Sequence, residues 1–325
     1  MPLDHYIPQV HLKHFYSPIL GNNLMYATRK SDLRSFTPDS ISVCRINDGS
    51  SNTYLQEDRA IEEFLKTIEP KYNEALAKLL EDKIDERCIY TISGFVAYVV
   101  SCSPAGMRIQ SEPLKRTVET VAAAMEARGL IPPPPKELKE LGLEGENLVE
   151  LLGTGAVNVE VDPKFPQAIG ISSINRSLAL FGNSNWEILL NDFNDSPFFT
   201  SDFPVAIEDT TDERILNRIV PLAPHLAIRI RPDLNIEKDR ADFSFTNFRC
   251  HRRNISHKEA REINRLLVRC AEDTVFYRDD LAWVQSFIAK NQHYRIESST
   301  STQRTREGSL LISRLKIVET KPRHT

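Results

Sequence analysis

The chain has 325 residues, of which 41% are hydrophobic and 26% charged, and its formal net charge is -4 at pH 7. This composition is typical of a folded globular protein and excludes a largely disordered chain. The small negative charge excludes a surface that attracts nucleic acid everywhere, so any polyanion site must be a local patch. The length allows one large domain or two of ordinary size.

Cysteine usage and the apolar segments predict a reduced, cytoplasmic protein without a membrane span. The five cysteines are scattered and form no Cys-x-x-Cys pair, which argues against a zinc ribbon or a disulfide framework. The residues Met1–His5 carry neither a basic nor an apolar signal segment. The most apolar stretch, Ile92–Val100, is far shorter than the roughly 20 residues of a membrane span, so we expect a buried helix or strand.

The first half of the chain has mainly helical periodicity. Apolar residues at three- and four-residue spacing predict helices at 4–16, 57–80, 88–101 and 112–128. Asp4 is expected to cap the first helix, and Pro70 is expected to kink the second. Two β-prone runs between these helices, Leu24–Arg29 and Ile41–Ile46, predict a hairpin.

The second half begins with a break and is richer in strands. The run Pro132–Pro135 cannot be helical, and with the charged segment after it predicts an internal linker or lid at 130–146. Helix is expected to resume over Phe165–Leu190. Ser256 and Glu259 form a capping box that predicts the start of a later helix. Three runs are β-rich: Phe198–Ile207, Ile219–Leu222 and Leu226–Ile230.

These elements predict an α+β fold. A mainly helical N-terminal half is expected to pack on a smaller, largely antiparallel sheet from the second half. We expect a single domain over 1–290. The serine- and threonine-rich run 298–302 predicts a partly flexible tail over 291–325, with one strand at Leu310–Val318. The sequence leaves the oligomeric state open.

The N-terminal segment holds the densest group of polar side chains in the chain, with His5, Gln9, His11 and His14. In a helix, His5 and Gln9 share one face. A histidine and an amide on one face could bind a metal ion, orient a water molecule or hold a phosphate oxygen. The alternative is structural: buried polar residues that hold the terminus in place by hydrogen bonds.

A second candidate site is the run Thr200-Ser201-Asp202, which follows a predicted strand and precedes Pro204. A carboxylate at the end of a strand, flanked by hydroxyl groups, is a common position for a general base or a metal ligand. Asp and Ser are equally common as turn residues that bond their own backbone. The sequence leaves both interpretations of Asp202 open.

Two glutamates on the second predicted helix could add a further carboxylate to such a site. Glu62 and Glu69 are seven residues apart and therefore lie on nearly the same side of the helix. Either could point into a cleft, although most helix glutamates are simply exposed.

A local basic patch is predicted within 245–269. Arg261, Arg265 and Arg269 recur every four residues and form a stripe on one helix face. Such a stripe could hold the phosphates of a nucleic acid while nearby aromatic rings stack on bases. The alternative is a solvated helix face. Asn264 lies on another face of the same helix and could reach inward.

Several sequence motifs of common enzyme classes do not occur in the chain. It has no Walker-type loop, no Gly-x-Gly-x-x-Gly, no Gly-x-Ser-x-Gly and no His-Glu-x-x-His. An ATPase, a Rossmann oxidoreductase, an α/β serine hydrolase and a zincin are therefore poorly supported.

Taken together, these features resemble the domain-of-unknown-function family 4238, mostly bacterial proteins that open with His-Tyr-x-Pro-Gln-x-x-Leu-x-x-Phe. The resemblance extends over roughly 4–280. It rests on the run from His5 to Phe15, the paired glutamates, Trp186, the run Thr200–Val205, Pro221–Pro224 and Asn264. Where the family usually has an arginine before Ser/Thr-Pro, this chain has Cys102. If that arginine binds phosphate in the relatives, this chain either lacks the contact or supplies it from Arg108.

The resemblance implies no established activity, but some relatives resemble single-gene bacterial defence effectors against phage. Our leading hypothesis is a phosphodiester-cleaving, nuclease-like enzyme, with a divalent metal as a possible cofactor. Its catalytic residues would be His5, Asp202 and Glu69, and its substrate-binding residues would be Gln9, Ser201, Asn264, Arg261, Arg265 and Arg269. The competing hypothesis is a non-catalytic partner-binding module in which these polar residues are structural. Convergence of His5, Asp202 and Asn264 in one accessible pocket would favour the enzyme.

Overall fold

The computed structural model describes residues 3–132, 137, 142, 147–234, 241–305 and 308–320. The α-helices are α1 (Gln9–Leu12), α2 (Ala60–Ile68), α3 (Tyr72–Glu81), α4 (Glu86–Cys102), α5 (Pro104–Glu126), α6 (Leu148–Thr154), α7 (Lys164–Ser172), α8 (Ile174–Gly182), α9 (His257–Cys270) and α10 (Val284–Asn291). Short 3-10 helices lie at Lys13–Phe15, Pro18–Leu20 and Glu69–Lys71.

The strands form several mostly antiparallel sheets. A five-stranded sheet has the order β10 (Arg249–Asn254), β5 (Asn185–Leu190), β9 (Leu226–Arg231), β8 (Leu216–Ala223) and β7 (Ala206–Asp209), with β10 parallel to β5. A four-stranded sheet has the order β3 (Ser35–Phe36), β2 (Tyr26–Arg29), β11 (Thr274–Tyr277) and β6 (Thr200–Ser201). Two pairs complete the set: β1 (Leu3–His5) with β4 (Arg45–Asn47), and β12 (Tyr294–Thr305) with β13 (Gly308–Glu319).

The helices α2–α8 precede most of the sheet, so the predicted α+β fold is confirmed. Helix α4 lies at the centre of the helical half and contacts α2, α3, α5, α7 and α8. The apolar stretch Ile92–Val100 lies within α4, and Ile92, Phe95 and Val96 expose no surface. Gly94 permits the close packing of α4 on α2, because a Cβ there would lie 2.8 Å from the Ile68 side chain.

The long helix predicted over 57–80 is interrupted at Pro70, as expected. The 3-10 turn Glu69–Lys71 separates α2 from α3, because proline has no N–H to continue the helical hydrogen bonds. Ser256 caps α9 by accepting a hydrogen bond from the backbone N–H of Glu259. The Glu259 carboxylate does not close the capping box; it pairs with Arg229 and Arg253 on the sheet instead.

The helix predicted over 4–16 is wrong in its first part. Leu3–His5 is a strand, and the helix begins only after Pro8, which holds the preceding residue extended. Asp4 therefore caps no helix, and its carboxylate accepts a hydrogen bond from the backbone N–H of Ser50. His5 and Gln9 consequently do not share a helix face.

Two further predictions need correction. The runs Leu24–Arg29 and Ile41–Ile46 do not pair with each other, because β2 pairs with Ser35–Phe36 and the second run leads into β4, which pairs with β1. The helix predicted over Phe165–Leu190 ends at Gly182, and Asn185–Leu190 is strand β5. This strand is central and nearly continuous in apolar residues, a pattern that periodicity alone does not separate from a buried helix.

The C-terminal segment forms a hairpin with two strands rather than one. The run 298–302, expected in a flexible tail, belongs to β12 and pairs with β13. The division of the chain into a domain at 1–290 and a tail stays a prediction. Most of the linker or lid predicted over 130–146 lies outside the described residues.

A membrane-spanning helix needs about 20 consecutive, mainly apolar residues. No single helix among the described residues is long and apolar enough to cross a bilayer. Helices α4 and α5 reach that length and composition only together, and they are bent by 61° at their junction.

Candidate functional site

The N-terminal motif and the Thr-Ser-Asp motif meet through His11. Its Nε2 lies 2.8 Å from the Thr200 hydroxyl and its Nδ1 lies 2.8 Å from the Tyr72 hydroxyl. The ring is fully buried and stacks on Phe95 at 4.8 Å. Burial lowers the pKa of His11 to about 3, so the imidazole is neutral and joins α1, α3 and β6 through both nitrogens.

Asp202 is buried directly after β6, and its carboxylate is fully engaged. It accepts hydrogen bonds of 2.8–2.9 Å from the backbone N–H groups of Glu272, Asp273 and Thr274, at the start of β11. Burial raises the pKa of Asp202 to about 6, against the opposing effect of these N–H groups and of Lys30. Through these three hydrogen bonds, the buried Asp202 carboxylate links the end of β6 to the start of β11.

The buried Lys30 is a cation whose charge lowers the pKa of Asp202. Its Nζ donates hydrogen bonds to the carbonyl of Ala271 at 2.6 Å and to that of Tyr294 at 2.8 Å. Burial lowers its pKa to about 8. Lys30 thereby connects β2 with the end of α9 and the beginning of the C-terminal hairpin.

Glu272 extends the same group toward Arg108. The guanidinium of Arg108 binds both carboxylate oxygens of Glu272, at 2.8 and 2.7 Å, and also pairs with Glu297 at 2.9 Å. We call Asp202, Lys30, Glu272 and Arg108 the Asp202 cluster. Within it Arg108 and Glu272 form an ion pair, whereas Asp202 and Lys30 are each held by backbone groups.

Tyr6 brings the N-terminal motif to the edge of the Asp202 cluster. Its hydroxyl shares a hydrogen bond with the Cys44 thiol, and both groups are acted on by the charge of Asp202. Burial raises the pKa of both groups. Cys102, which stands where the family usually has arginine, is also buried, and burial raises its pKa.

The hydrogen-bond partners of His5 are different from those of the Asp202 cluster. Its Nδ1 is 3.1 Å from the carbonyl oxygen of Val43, and its own carbonyl accepts a hydrogen bond from the Tyr98 hydroxyl at 2.9 Å. Burial lowers the pKa of His5, and the charges that act on it are Arg45, Asp4 and Asp39. The charges that act most strongly on Asp202 are instead Lys30 and Glu272.

Gln9 is tied into the loop that follows β3. Its side-chain oxygen lies 3.4 Å from the Ser40 hydroxyl, which also accepts a hydrogen bond from Tyr16 at 2.8 Å. Among the residues that the structure describes, Gln9 thus has only a long, weak hydrogen bond, and it stays half-buried.

Glu69 is the least constrained of the predicted carboxylates. It is half-buried on the 3-10 turn, and no hydrogen bond or ion pair engages it within the described part of the chain. Burial raises its pKa, and its charge acts on Tyr98, the residue that binds the His5 carbonyl. Glu62, its predicted companion, instead pairs with Arg59 and Lys66 on the helix surface.

Asn264 and Ser201 are satisfied by the backbone. The Asn264 side chain accepts a hydrogen bond from the Phe199 N–H at 3.0 Å and donates one to the Pro197 carbonyl at 2.8 Å. The Ser201 hydroxyl accepts a hydrogen bond from the Phe203 N–H at 3.1 Å. Both side chains hold the segment around β6 in place.

The predicted arginine stripe is largely engaged. Arg265 pairs with Glu262. Arg269 donates a hydrogen bond to Asn291 at 2.8 Å and lies over the ring of Tyr294 at 4.0 Å. Arg261 alone of the three is exposed and without a partner among the residues that the structure describes. A single free arginine makes a weak site for a polyanion.

The donor groups of the Asp202 cluster do not suit a metal ion. Within the described ranges, no group of three or more His, Cys, Asp or Glu side chains is placed to hold one. The Asp202 carboxylate is occupied by three N–H donors. The cluster is therefore a poor fit for a divalent cation.

A surface groove that the sequence analysis did not single out lies beside α4. Its volume is about 660 Å³, and it is lined by Thr67, Lys71, Glu86, Arg87, Tyr90, Thr91 and Phe243. The rings of Tyr90 and Phe243 lie 6.0 Å apart, and Phe243 is 40% exposed. A smaller cleft of about 280 Å³ shares Lys71 and Arg87 and continues along α3. We call the larger opening the α4 groove.

The cations of the α4 groove differ from the arginines of the predicted stripe in their partners. Lys71 and Arg87 are both exposed, and neither side chain makes an ion pair or hydrogen bond within the described residues. Arg87 and Tyr90 are three residues apart on α4, a spacing that the sequence does show. Phe243 approaches from a loop far along the chain, and no local pattern predicts that meeting.

The fold and the site define an α+β protein whose two most specific motifs meet in a buried polar core. The sequence matches the family described as "Protein of unknown function (DUF4238)" over residues 4–280, and the chain belongs to that family. No curated protein and no solved structure matches the chain.

Proposed function

We propose that the protein binds single-stranded nucleic acid through the α4 groove. The observation that carries this proposal is the pairing of two partnerless cations, Lys71 and Arg87, with two adjacent aromatic rings, Tyr90 and Phe243, among the described residues. Single strands are bound by such combinations, because cations hold the phosphates and rings stack on the bases. In this proposal, the non-catalytic hypothesis holds for Asp202, Ser201 and Asn264.

The charge of the groove limits the strength of the binding. Lys71 and Arg87 face one lining carboxylate, Glu86, and in the adjoining cleft Lys78 is neutralised by Glu74 and Asp85. We therefore expect about two phosphate contacts. Two contacts on a single strand give a slope of about -1.4 for log affinity against log salt.

The aromatic pair supplies the part of the affinity that does not depend on salt. Stacking of one base on an aromatic ring is worth about 1–3 kcal/mol. Phe243 is exposed enough to stack on a base. The planes of the Phe243 and Tyr90 rings are inclined by 58° to each other, so the two rings would stack on bases in different orientations. Every base has a flat face, so we expect little sequence preference.

The test is a titration of fluorescent oligo(dT) and oligo(U) against the full-length protein at several salt concentrations. The double variant Lys71→Gln/Arg87→Gln should lower the affinity and flatten the salt slope toward zero. Phe243→Ala should lower the affinity at every salt concentration without changing the slope.

The matched control is the double variant Arg261→Gln/Arg265→Gln, which removes the same charge from the predicted stripe. It should leave binding to the groove unchanged. If this control flattens the slope and the groove variant does not, the binding surface is the stripe. If the wild-type protein binds neither oligonucleotide at low salt, the proposed function is wrong.

A second candidate function is phosphodiester cleavage, and the burial of the Glu69 carboxyl group supports it. A carboxyl group that has no partner in the described part of the chain, and whose pKa is raised by burial, is a better proton acceptor than an ordinary surface carboxylate. Glu69 would accept the proton of the attacking hydroxyl or water as its oxygen bonds to phosphorus. His5, in its protonated form, would give a proton to the leaving oxygen as the P–O bond breaks, and because burial lowers the pKa of His5 this form is favoured at lower pH. A role in phage defence belongs to this candidate, because the family resemblance implies defence effectors.

Cleavage is tested by incubating labelled RNA and DNA with the protein, with EDTA and with Mg²⁺. Glu69→Gln and His5→Gln should each abolish cleavage without changing the thermal midpoint, and Asp202 has no part in the reaction. If no RNA or DNA is cleaved under any of these conditions and binding is intact, the protein is a binding module without this activity. Cleavage that survives Glu69→Gln refutes this assignment.

A further inference from the structure

The five-stranded sheet has one edge that is open to solvent. Strand β10 is the outermost strand at this edge, and within the described ranges it pairs only with β5. Four of its six residues are exposed and the other two are half-buried, so no helix or loop of the described chain covers the strand. At the opposite edge, β7 contacts β13 of the C-terminal hairpin. No residue of β10 lines the α4 groove, so this edge is independent of the proposed function.

The backbone of β10 presents free hydrogen-bonding groups at this edge. In a parallel pair, alternate residues bond to the neighbouring strand, and the residues between them turn their N–H and C=O groups away from it. The N–H of Ile255 donates to the Leu190 carbonyl of β5 at 3.0 Å, which sets the phase of the ladder. Cys250, Arg252 and Asn254 therefore face outward. Among the described residues, nothing bonds to their backbone groups, which form a template for a further strand.

Two arginines determine the charge of a strand that fits this edge. Arg249 and Arg252 project to opposite faces of the sheet, because side chains alternate along a strand. The guanidinium of Arg249 donates only to the carbonyls of Thr246 and Phe248. The side chain of Arg252 has no partner within the described part of the chain. Neither arginine is neutralised by a carboxylate, whereas Arg253 is held by two.

Two acidic residues act at the ends of the strand. Burial and the charge of Asp82 both raise the pKa of the Cys250 thiol, and Asp192 accepts a hydrogen bond from the Asn254 side chain at 2.9 Å. Arg252 is the cation between them, so an acidic side chain is favoured most strongly opposite Arg252. A second copy of the chain fits poorly, because pairing two β10 edges would place arginines opposite each other.

We propose that β10 binds an extended acidic segment of a partner protein, which adds to the sheet as a sixth strand. Main-chain hydrogen bonds to Cys250, Arg252 and Asn254 supply affinity, and carboxylates beside Arg249 and Arg252 supply specificity. A nucleic acid fits this edge less well, because its sugar–phosphate backbone does not present alternating donors and acceptors at the spacing of a strand.

The experiment is a fluorescence anisotropy titration of the full-length protein with a labelled heptapeptide of alternating glutamate and valine. One comparison peptide has lysine in place of every glutamate. Another keeps the glutamates and is N-methylated at two consecutive central residues, so that both of its edges are blocked while its charge is unchanged. We expect the acidic peptide to bind about tenfold or more tightly than either comparison peptide, because the backbone hydrogen bonds and the charges both contribute.

The location of the bound peptide can be read at Cys250, which is exposed while the other four cysteines are buried. Saturating acidic peptide should slow the alkylation of Cys250 by iodoacetamide, measured by mass spectrometry of the digested protein. An unchanged alkylation rate at saturation would place the peptide elsewhere and overturn the proposal.

The matched variants are Cys250→Pro and Cys250→Ala. Proline removes an outward N–H and leaves the ladder to β5 intact, since proline is tolerated on edge strands where the N–H faces solvent. Cys250→Pro should weaken binding of the acidic peptide about tenfold relative to Cys250→Ala, which should bind like wild type. Arg252→Gln should weaken it about threefold. None of these variants should change the binding of oligo(dT).

If Cys250→Pro does not fold, the N-methylated peptide decides, because it tests the same hydrogen bonds on the wild-type protein. Equal binding of the acidic and N-methylated peptides, especially if oligo(dT) displaces both, would mean that the edge attracts anions by charge alone. That result, a folded Cys250→Pro that binds like Cys250→Ala, or no binding of the acidic peptide by the wild-type protein would each overturn the proposal.

Discussion

His11 Nε2 lies 2.8 Å from the Thr200 hydroxyl, although 189 residues separate the two in the chain. Both side chains are fully buried. This hydrogen bond joins the segment that opens the family match to the segment that ends in Asp202. The two motifs therefore form one structural unit, in which each fixes the position of the other.

The first prediction concerns this bond. In Thr200→Val, a buried ring nitrogen of His11 loses its partner, which should lower the free energy of unfolding by about 1–3 kcal/mol. Urea denaturation measures the change. The control is Thr117→Val, which removes an exposed helix hydroxyl bonded to the Pro113 carbonyl and should change stability by less than about 0.5 kcal/mol. Equal effects of the two substitutions would show that the His11 bond is unimportant.

The sequence identifies the two motifs that meet, but its spacing singles out His5 rather than His11. A helix over 4–16 would place His5 beside Gln9. Pro8 prevents that helix from extending backward, so His5 is in a strand and its ring contacts the Val43 carbonyl. The partners of His11 lie on α3 and β6, and no local spacing reveals contacts of that sequence separation.

The central helix and the fold class were predictable for a different reason. Helix α4 is apolar on nearly all sides and too short to span a membrane, so burial was the expected outcome. The arginine stripe was predictable as a helix face. The engagement of Arg269 by Asn291 and Tyr294 depends on α10 and β12 and could not be read from the stripe itself.

The second prediction concerns the core of α4. Val96→Asp places a carboxyl group where no surface is exposed, which should cost several kcal/mol against a total stability of roughly 5–15 kcal/mol. We expect the variant to be insoluble or to unfold at a much lower temperature. Val118→Asp on α5, at a side chain that is 50% exposed, is the control and should remain folded. A Val96→Asp protein with the wild-type thermal midpoint would contradict the assignment of α4 to the core.

The third prediction concerns Arg229, which is 6% exposed beneath α9. It pairs with Glu187 at 2.6 Å, with Glu208 at 2.9 Å and with Glu259 at 3.3 Å. Arg229→Met leaves these carboxylates close together with less positive charge, which should cost about 3–5 kcal/mol.

Thermal and urea unfolding measure the effect of Arg229→Met. Arg214→Met, which breaks an exposed pair, should cost less than about 1 kcal/mol. If the two substitutions cost the same, the pairs beneath α9 add nothing to stability.

The last prediction concerns the pH dependence that Asp202 gives to folding. Burial raises its pKa from 3.8 to about 6. An acid with a raised pKa in the folded state binds its proton more tightly there than in the unfolded chain. Its contribution is therefore fully present below about pH 4 and is lost as the pH rises through about 6.

In the measurement, the free energy of unfolding of wild type and of Asp202→Asn is compared between pH 4 and pH 7. Asparagine does not titrate, so the difference between the two curves isolates Asp202 from the other acids. From the shift, we expect wild type to lose roughly 2 kcal/mol relative to the variant across this window. The dependence of the free energy of unfolding on pH is the observable, and its absolute value is not. The amide introduced by Asp202→Asn would also disturb one of the three N–H contacts and so lower the stability of the variant at every pH. Parallel curves would mean that the Asp273 and Thr274 N–H groups, with Lys30, outweigh burial and keep the carboxylate ionised throughout.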